Sequence, residues 1–389
     1  MHIIQIKKSA EKRIRSGHQW IFSNELNTLP QLPAGSLVRV HTSTGKDLGI
    51  AFYNRNSLIS LRLLNYFEDI DNNFFLYRIK KANEFRKQIL PNENSYRLIY
   101  GESDGLPGLI ADKYENYLSL QFLAAGMDNL KEQVVSVICE LFPNFEGIIE
   151  KNFSQHRLYE GLEQNQAILF GNIPGLIQIK ENGIKYNISL TEGQKTGYFF
   201  DQRDNRLLLK KISNGKNVLD CFTYQGSFAL NAIAGGAASA LGIDSSQTAL
   251  DFAESNSALN NYQNLKFIRS DVVEELERQS RLGAKWDIIN LDPPAYSKNK
   301  KSVPVALKGY GKLARLALRL IVDEGYLCFS SCSQHVSEQE LLNVISNEAS
   351  KLSINLSMLY RGGQAADHPV LLSMPETSYL KFFVFRVVR

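Results

Sequence analysis

From Asn217 to the C-terminus, apolar residues recur alternately with the period of a strand and with the period of a helix, and the gaps between segments are short. Repeated βα units of this kind predict an α/β fold with a doubly wound sheet and right-handed crossovers. This pattern constrains the fold more than any other feature of the chain. The predicted strands cover 217–222, 238–243, 265–269, 286–291, 325–330, 355–360 and 379–388, and the predicted helices cover 227–234, 247–259, 272–282, 305–322 and 338–352.

One strand of this series, within the stretch 286–297 (WDIINLDPPAYS), ends at a rigid polar turn. Its near-continuous apolar run is typical of a central parallel strand that is covered on both faces. Asp292 follows the strand, at the sheet edge where open α/β folds bind ligands. Pro293 and Pro294 hold this backbone extended, and Tyr296 lies close by. An acid beside an aromatic ring favours a flat, polar substrate, although a plain Pro-Pro turn with an exposed Asp292 remains an alternative of similar weight.

The chain of 389 residues is too long for one hydrophobic core, so two or three domains are expected. Short alternating segments separated by turns predict a small β-barrel at the N-terminus, and mixed helix and strand patterns follow it. The dipeptide Asn182-Gly183 between two alternating runs predicts a β-hairpin at 176–190. The predicted domains are 1–70, a β-barrel; 71–175, a central α+β domain; and 176–389, the α/β domain that opens with the hairpin.

Composition excludes several classes of protein. The four cysteines form neither a disulfide framework nor a CxxC zinc pattern, and no metal site is expected. No apolar run approaches the roughly 18 residues that span a bilayer, and the N-terminus lacks the order of a signal peptide. We therefore expect a soluble cytoplasmic protein.

The net charge of +4 is too small to identify a partner, but a basic run near the N-terminus is more informative. Lys12, Arg13 and Arg15 precede Trp20 and Phe22, and positive charge with aromatics is what RNA phosphates and unstacked bases require. A solvated helix face followed by core aromatics is the commoner explanation for one short basic run.

The strand ends indicate a cofactor. The first βα turn, VLDCFTYQGSFAL at 218–230, has one glycine, so the dinucleotide fingerprint is absent, and the chain contains no P-loop. Instead an acid follows each of four strands: Asp220, Asp244, Asp271 and Asp292. This series predicts an S-adenosylmethionine site, with the first three acids near the methionine ammonium, the ribose hydroxyls and the adenine amino group. Each acid alone could be a helix N-cap, but four in succession make that explanation weaker.

A candidate nucleophile lies at the end of the fifth strand, in the sequence SSCS at 330–333. Cys332 follows the apolar strand, whereas Cys328 lies inside it and is expected to be packed. The dipole of the next helix, together with Lys298 or His335, could favour the thiolate that nucleophilic attack requires. Cysteine is also often an inert buried residue.

Cys332 and Asp292 together select among methyl transfers. Methylation of an exocyclic nitrogen needs no thiol. Methylation of C5 of a pyrimidine does, because that carbon becomes nucleophilic only after a thiolate adds to C6. Asp292 could then hydrogen-bond N3 or the N4 amino group of cytosine as charge develops. The base that removes the C5 proton is not identified by the sequence.

The combined motifs resemble those of the 23S ribosomal RNA 5-methylcytosine methyltransferase family, over essentially the whole chain. The resemblance implies a PUA-like RNA-binding domain at 1–70 and a Rossmann-like class I methyltransferase sheet at the C-terminus. It also implies methylation of a cytosine in 23S ribosomal RNA, with a possible homodimer. The motifs are GQKTGYFFDQRDNR, VLDCFTYQGSFAL, NLDPPAYSK and SSCSQHVS, preceded by AEKRIRSGHQWIFSNEL and ESDGLPGLIADKYENYLSLQ.

By the same resemblance, Cys332 is the nucleophile, Asp292 is its motif partner, and Gln194 and Lys195 border the active-site cleft. A different RNA base such as guanine, a different RNA, and a non-catalytic RNA-binding factor are the alternatives. The residues predicted to bind the cofactor are Phe200, Arg203, Asp220, Phe222, Thr223, Gly226, Asp244, Ser245, Asp271 and Asp292. The residues predicted to bind RNA are Lys12, Arg13, Arg15, Lys195, Tyr296 and Lys298.

Overall fold

The computed structural model describes residues 1–65, 69–297 and 299–389. The chain forms two compact units, each built from several segments. Within the described ranges, no helix has the length and apolar character needed to cross a membrane. The three predicted domain ranges stay a prediction. The first unit comprises Met1–Ile179, Ile188–Phe200 and Ala366–Thr377, and the second comprises Lys180–Asn187, Asp201–Ala365 and Ser378–Arg389.

The N-terminal part of the first unit is a five-stranded sheet in the order β1-β3-β4-β5-β2. Its apolar side chains form one core, to which Ala10 and Ile14 of the basic helix contribute. A backbone hydrogen bond of 2.9 Å from the amide of Asn54 to the carbonyl of Ser60 closes the loop before the last of these strands. The elements are β1 (His2–Gln5), α1 (Lys8–Arg15), β2 (Trp20–Ile21), β3 (Ser36–His41), β4 (Asp47–Tyr53) and β5 (Leu61–Asn65).

A second five-stranded sheet follows, in the order β10-β9-β8-β7-β6. The long amphipathic helix that precedes it begins at an N-cap, because Asp71 accepts a hydrogen bond of 3.0 Å from the amide of Phe74. Two helices of this sheet's domain meet at Leu130. The elements are α2 (Asn72–Ile89), β6 (Ser95–Tyr100), β7 (Leu109–Tyr114), β8 (Tyr117–Phe122), α3 (Ala125–Asn129), α4 (Lys131–Leu141), β9 (Gly147–Lys151), α5 (Gln155–Tyr159) and β10 (Gln166–Gly171).

A buried ion pair holds the glycine-rich turn that follows β6. Arg86 of α2 is fully buried, and its guanidinium bonds both carboxylate oxygens of Asp104 at 2.5 and 2.8 Å. It also donates to the carbonyls of Arg97 at 3.0 Å and Asp367 at 2.9 Å. Gly105 then turns the chain with a φ of 69°, which glycine adopts without strain. Asp104 of this turn therefore neutralises the buried Arg86.

The predicted hairpin is present, and its turn residues Asn182 and Gly183 have φ values of 54° and 84°, as a type I′ turn requires. Beyond it, strands and helices alternate as the sequence pattern predicts. The elements are β11 (Ile177–Glu181), β12 (Ile184–Ile188), α6 (Arg203–Ile212), β13 (Asn217–Cys221), α7 (Ser227–Ala234), β14 (Ser239–Asp244), α8 (Gln247–Leu259), β15 (Leu265–Arg269), α9 (Val272–Arg281), β16 (Trp286–Leu291), α10 (Val303–Leu320), β17 (Ile321–Ser331), α11 (Glu338–Ser350), β18 (Asn355–Gly362) and β19 (Lys381–Val388).

The second unit is organised around a seven-stranded sheet in the order β15-β14-β13-β16-β17-β19-β18. The first five strands in that order are parallel, and β19 runs antiparallel between β17 and β18. This architecture confirms the predicted doubly wound α/β fold. The strand order reverses between β13 and β16, and ligands of open α/β sheets bind at such a switch point. The edge formed by the carboxyl ends of these strands is therefore the expected position of a ligand-binding site.

Replacing Arg86 tests the role of the buried ion pair. In Arg86→Met, Asp104 keeps its burial but loses its counter-charge, and breaking such a pair costs about 3–5 kcal/mol. We expect the free energy of unfolding in urea to fall by that amount for the transition of the first unit. Lys80→Met, at an exposed position of the same helix, is the matched control and should stay within about 0.5 kcal/mol of the wild type. Equal stability of the two variants would contradict the interpretation.

Candidate active site

The turns after β16 and β17 form the centre of the candidate site. The two strands are parallel neighbours, with Leu291 opposite Phe329. Asp292 and Cys332 therefore leave the same edge of the sheet on adjacent strands. A hydrogen bond of 3.2 Å from the backbone N–H of Ser297 to the hydroxyl of Ser333 joins the two turns.

Tyr310 of α10 fixes the residues on both sides of Cys332. Its hydroxyl lies 2.7 Å from the Ser333 hydroxyl and accepts a hydrogen bond of 2.9 Å from the Ser331 hydroxyl. Its ring stacks on Tyr296 with the centroids 5.0 Å apart. Burial raises the pKa of Tyr296 to about 12, so its hydroxyl stays neutral. Cys332 itself is partly exposed, and its backbone is thus held in place while its side chain keeps access to the edge of the sheet.

Asp292 is a carboxyl group with a strongly altered acidity. Burial, followed by the neighbouring carboxylates of Asp201 and Asp220, raises its pKa to about 7. The Gln202 amide donates to Asp292 Oδ1 at 2.9 Å and to the Ser330 hydroxyl at 3.2 Å. A carboxyl group that is half protonated near neutral pH can either donate or accept a hydrogen bond. Carboxyl groups whose pKa is raised by burial and by neighbouring charges are typical of functional sites.

Asp220, at the end of β13, is fully buried and committed to internal hydrogen bonds. Its Oδ2 accepts from the Thr223 hydroxyl at 2.5 Å and the Ala229 amide at 3.1 Å, and its Oδ1 accepts from the Asn290 amide at 2.8 Å. Burial raises its pKa to about 6 despite these bonds. Asp220 and Thr223 thus hold the turn after β13, and the predicted contact of Asp220 with the methionine ammonium stays a prediction.

The turn after β13 has unusual backbone geometry. Phe222 and Tyr224 have φ values of 63° and 51°, in the left-handed region that bulky residues rarely adopt, and Gly226 has 78°. The Tyr224 amide donates to Asp244 Oδ2 at 2.9 Å, which links this turn to the end of β14. Backbone strain of this kind is concentrated at ligand sites, where the surrounding structure maintains it.

Two of the predicted cofactor acids also accept hydrogen bonds from nearby backbone amides, and one of them caps a helix. Asp244 Oδ1 accepts from the Ser246 amide at 2.9 Å. Asp271 Oδ1 is the N-cap of α9 and accepts from the amides of Val273 at 2.9 Å and Glu274 at 3.1 Å. Ser245 is exposed beside Asp244. Asp271 is therefore a helix N-cap, the alternative that the sequence left open for each of these acids. Its position at the carboxyl edge of the sheet is also compatible with a bound adenine.

Other predicted residues occupy different surroundings. Arg203 is buried and lies 3.4 Å from Glu181, whose carboxylate Arg206 binds through two hydrogen bonds of 2.7 and 2.8 Å. In the first unit, Phe200 is buried against Tyr114, and Lys195 is exposed with its ammonium 4.8 Å from the ring centroid of Phe199.

The predicted RNA-binding residues of α1 differ from one another. Arg13 donates to both carboxylate oxygens of Glu25, at 2.8 and 2.6 Å, and to the Trp20 carbonyl at 2.9 Å. Lys12 and Arg15 are exposed, and Arg15 lines a cavity of about 620 Å³ in the first unit. Lys298 lies outside the described residues. Arg13 therefore has a structural role in the N-terminal domain, whereas the guanidinium of the exposed Arg15 lies 3.6 Å from the carboxylate of Glu11.

The side chains at the carboxyl edge fit S-adenosylmethionine chemically. That molecule presents an ammonium, a ribose diol and an adenine amino group, all of which donate to carboxylates, and Asp220, Asp244 and Asp271 end three neighbouring strands at this edge. Within 1–65, 69–297 and 299–389, no cluster of three or more His, Cys, Asp or Glu side chains is suited to hold a metal ion.

Comparisons with known proteins agree with this geometry. A model of a PUA-like domain matches residues 4–66, and a model of an S-adenosylmethionine-dependent methyltransferase matches residues 154–364. Ribosomal RNA large subunit methyltransferase I of Yersinia pestis bv. Antiqua (strain Angola) is 35% identical over 391 residues, covering 98% of each chain. The chain belongs to this family of S-adenosylmethionine-dependent methyltransferases. The relative from Yersinia pseudotuberculosis serotype O:3 (strain YPIII) has the same identity and coverage.

Solved structures support the fold of this methyltransferase. A protein provisionally named a methyltransferase, solved in complex with SAH, superposes with a TM-score of 0.87 at 24% identity, covering 99% of this chain and all of that one. A Streptococcus mutans protein provisionally named a SAM-dependent methyltransferase gives a TM-score of 0.86 at 24% identity, with coverage of 99% and 100%. The family assignment makes S-adenosylmethionine the cofactor, and the resemblance predicted from the motifs is confirmed.

Several residues of this methyltransferase site were not predicted from the sequence. Asn290 interrupts an apolar strand, and a buried amide inside such a strand needs a partner, which could have drawn attention to it. Gln202 lies between two predicted residues, and its bond to Asp292 joins positions 90 residues apart. Tyr310 lies on the apolar face of an amphipathic helix, so the sequence pattern indicates a core residue, and Tyr310 is indeed buried. Only the tertiary arrangement shows that these side chains support the turns of the site.

Replacing Asp292 tests its altered acidity through stability. The pKa of about 7 in the folded state lies above the unfolded value of about 3.9. Between these values the unfolded state loses its proton first, so folding loses stability as pH rises, and the loss is complete above about pH 7. Asp292→Asn should therefore unfold in urea with about 2 kcal/mol more stability than the wild type at pH 8, allowing for partial exposure, and with a smaller advantage at pH 5.

The matched control is Asp251→Asn, at an exposed position of α8, which should change stability little at either pH. An advantage of Asp292→Asn that is equal at pH 5 and pH 8 would contradict the assigned pKa.

Proposed function

We propose that this methyltransferase forms 5-methylcytosine in ribosomal RNA of the large subunit, with Cys332 as the nucleophile and Asp292 as the residue that binds the cytosine ring. The proposal is carried by one observation, the placement of a partly exposed thiol and a carboxyl group of raised pKa on adjacent parallel strands whose turns are hydrogen-bonded together. The name of the curated relatives supports the class of RNA.

The chemistry begins with the pyrimidine ring. Carbon C5 of cytosine is a poor nucleophile until a thiolate adds to C6 and electron density moves toward C5 and N3. The Cys332 sulfur forms the bond to C6. Asp292, protonated in part near neutral pH because its pKa is about 7, can donate a hydrogen bond to N3, which is an acceptor in cytosine. That donation stabilises the negative charge that develops in the ring during addition.

S-adenosylmethionine, when bound, supplies the methyl group that C5 takes. The chain's own residues must then return the ring to an aromatic state: the C5 proton leaves to a base, the C5–C6 double bond forms again, and the bond between C6 and the Cys332 sulfur breaks. Pro293, Pro294 and the stacked Tyr296 limit movement of the turn that carries Asp292. A fixed turn keeps the acid oriented toward one ring through both steps.

Other base specificities use Cys332 poorly. Guanine N7 and exocyclic amino nitrogens carry lone pairs and need no thiol addition, so such an enzyme would leave Cys332 without a role in chemistry. A non-catalytic RNA-binding factor would leave both the thiol and the raised pKa of Asp292 unexplained. The homodimer and the cytoplasmic location stay predictions.

Replacing the thiol tests the specificity. We expect wild-type enzyme with labelled S-adenosylmethionine to produce 5-methylcytidine in large-subunit ribosomal RNA that lacks the modification, measured after digestion to nucleosides. Cys332→Ala should lower the rate by a factor of at least about 10³, because the nucleophile of a covalent mechanism is absent. Cys139→Ala, at the other partly exposed cysteine, is the matched control and should retain activity. Full activity of Cys332→Ala, or a methylated guanosine as product, would refute the mechanism.

We also propose that the cavity beside Arg15 contacts the RNA backbone. Its lining includes Lys81 and the half-exposed Tyr77, and it also includes Glu102 and Asp104. These two acids are already bound by arginines: Arg62 lies 3.0 Å from Glu102, and Arg86 binds Asp104 as described above. The cations that line the cavity therefore give it a positive balance, which favours phosphate, and Tyr77 offers a ring on which a base can stack.

Charge reversal tests this surface. Lys81→Glu should weaken ribosomal RNA binding and lower the slope of log affinity against log salt by about 0.7–0.9 for each phosphate that the protein ceases to bind. Lys211→Glu, an equal charge change at an exposed position of α6, should leave the salt slope closer to that of the wild type. Equal reductions of the slope in the two variants would show that net charge, and not this cavity, governs RNA binding.

A further inference from the structure

Lys381 lies at the start of β19, far from Cys332 in sequence but beside it in the sheet. Strand β19 pairs with β17 in antiparallel orientation, and the register places Lys381 opposite Ser331. Cys332 follows Ser331 directly. The fold therefore brings a lysine side chain to the turn that carries the proposed nucleophile, at a distance of 49 residues along the chain.

The ammonium group of Lys381 is held in a fixed position. Its Nζ donates hydrogen bonds of 2.7 Å to the Ser333 carbonyl and 3.1 Å to the Tyr379 carbonyl. These bonds engage two of the three donors of an ammonium group. These two hydrogen bonds hold the positive charge of the lysine side chain at the turn that contains Cys332.

The charge of Lys381 is electrostatically coupled to that of a Cys332 thiolate. Burial lowers the pKa of Lys381, and the negative charge of a Cys332 thiolate acts most strongly in the opposite direction, followed by Glu338 and Glu340 of α11. The interaction is reciprocal, since a thiolate that favours the protonated lysine is itself favoured by it. Partial burial reduces screening by solvent and strengthens the interaction.

We propose that Lys381 is the positioning residue that holds the Cys332 sulfur in its reactive thiolate form. The step is a simple ionisation: the S–H bond of Cys332 breaks, the proton passes to solvent, and Lys381 keeps its own proton and remains a cation beside the new anion. No redox partner is involved. This inference rests on the proposed role of Cys332 as the nucleophile and adds the group that activates it.

Other charged groups face this turn and bear on its pH dependence. Tyr310 of α10 lies near Cys332, and burial raises its pKa, so it stays neutral over the range of interest. Glu338 and Glu340 act on Lys381 and help to keep it protonated. His335, one of the two activating residues suggested by the sequence, is exposed; the other, Lys298, lies outside the described residues. Within the described residues, Lys381 is thus the partly buried cation that is hydrogen-bonded to this turn.

The test measures the thiol itself in the full-length protein. Alkylation of Cys332 by iodoacetamide is followed by peptide mass spectrometry as a function of pH, because the thiolate is the species that reacts. We expect the wild-type midpoint to lie well below about 8.5, the value of a free cysteine. In Lys381→Met the midpoint should rise by about one pH unit, with alkylation at pH 7 about tenfold slower. Cys139, in the other unit, serves as the internal control and should not change.

Two further variants separate charge from structure. Lys381→Arg keeps the positive charge and should restore a low midpoint, whereas Lys381→Gln keeps an N–H donor for the carbonyls without charge and should behave like Lys381→Met. A midpoint that is the same in the wild type and a folded Lys381→Met variant would overturn the proposal. If the neutral variants do not fold, the wild type still decides, because a midpoint at or above about 8.5 contradicts thiolate stabilisation.

The outcomes also distinguish this inference from the proposed function. If the midpoint does not depend on Lys381 but Cys332→Ala abolishes 5-methylcytidine formation, the activating role of Lys381 is wrong and the cysteine mechanism stands. If Cys332→Ala remains fully active, the proposed function is wrong. Any effect of Lys381 on the pKa of the thiol would then have no role in catalysis.

Discussion

The parallel pairing of β16 with β17 is the constraint on which the site depends. It brings the turn of Asp292 beside the turn of Cys332, and the hydrogen bond between Ser297 and Ser333 keeps the two turns together. A shift of one residue in this register would turn every side chain of one strand to the opposite face and separate the acid from the thiol. On one face of the sheet, apolar side chains of β16 and β17 pack with α10 and α11 in a single core. A shift in register would remove these side chains from the core and is therefore opposed.

The environment of Asp292 lowers the stability of the folded state near neutral pH, because burial and two neighbouring carboxylates disfavour its ionised form. Three carboxyl groups, Asp201, Asp220 and Asp292, lie close enough to raise the pKa of Asp292 to about 7. The bonds from Gln202 and Asn290 satisfy part of this cluster but do not remove its charge. Proteins keep such costs mainly at functional sites, where an acid that is neutral at physiological pH can donate a hydrogen bond.

Much of the fold and part of the site could be predicted from local sequence. The strand and helix periods from residue 217 indicated the succession of strands and helices along the chain, and the position of Asp292 followed from the end of an apolar strand. Residues that act through long-range pairing could not be found in this way: Lys381 reaches its position through the register of β19, and Gln202 through packing across 90 residues. Arg13 has the appearance of an RNA ligand in sequence, yet Glu25 engages it.

Covalent trapping can detect the proposed bond between the Cys332 sulfur and C6 of cytosine. Ribosomal RNA that contains 5-fluorocytidine has fluorine where the C5 proton must leave, so elimination is blocked and the adduct persists. With S-adenosylmethionine present, we expect a covalent protein–RNA complex for the wild type, with the modified peptide containing Cys332, and none for Cys332→Ala. A complex that forms equally well in Cys332→Ala, or attachment at another residue, would show that Cys332 does not form this bond.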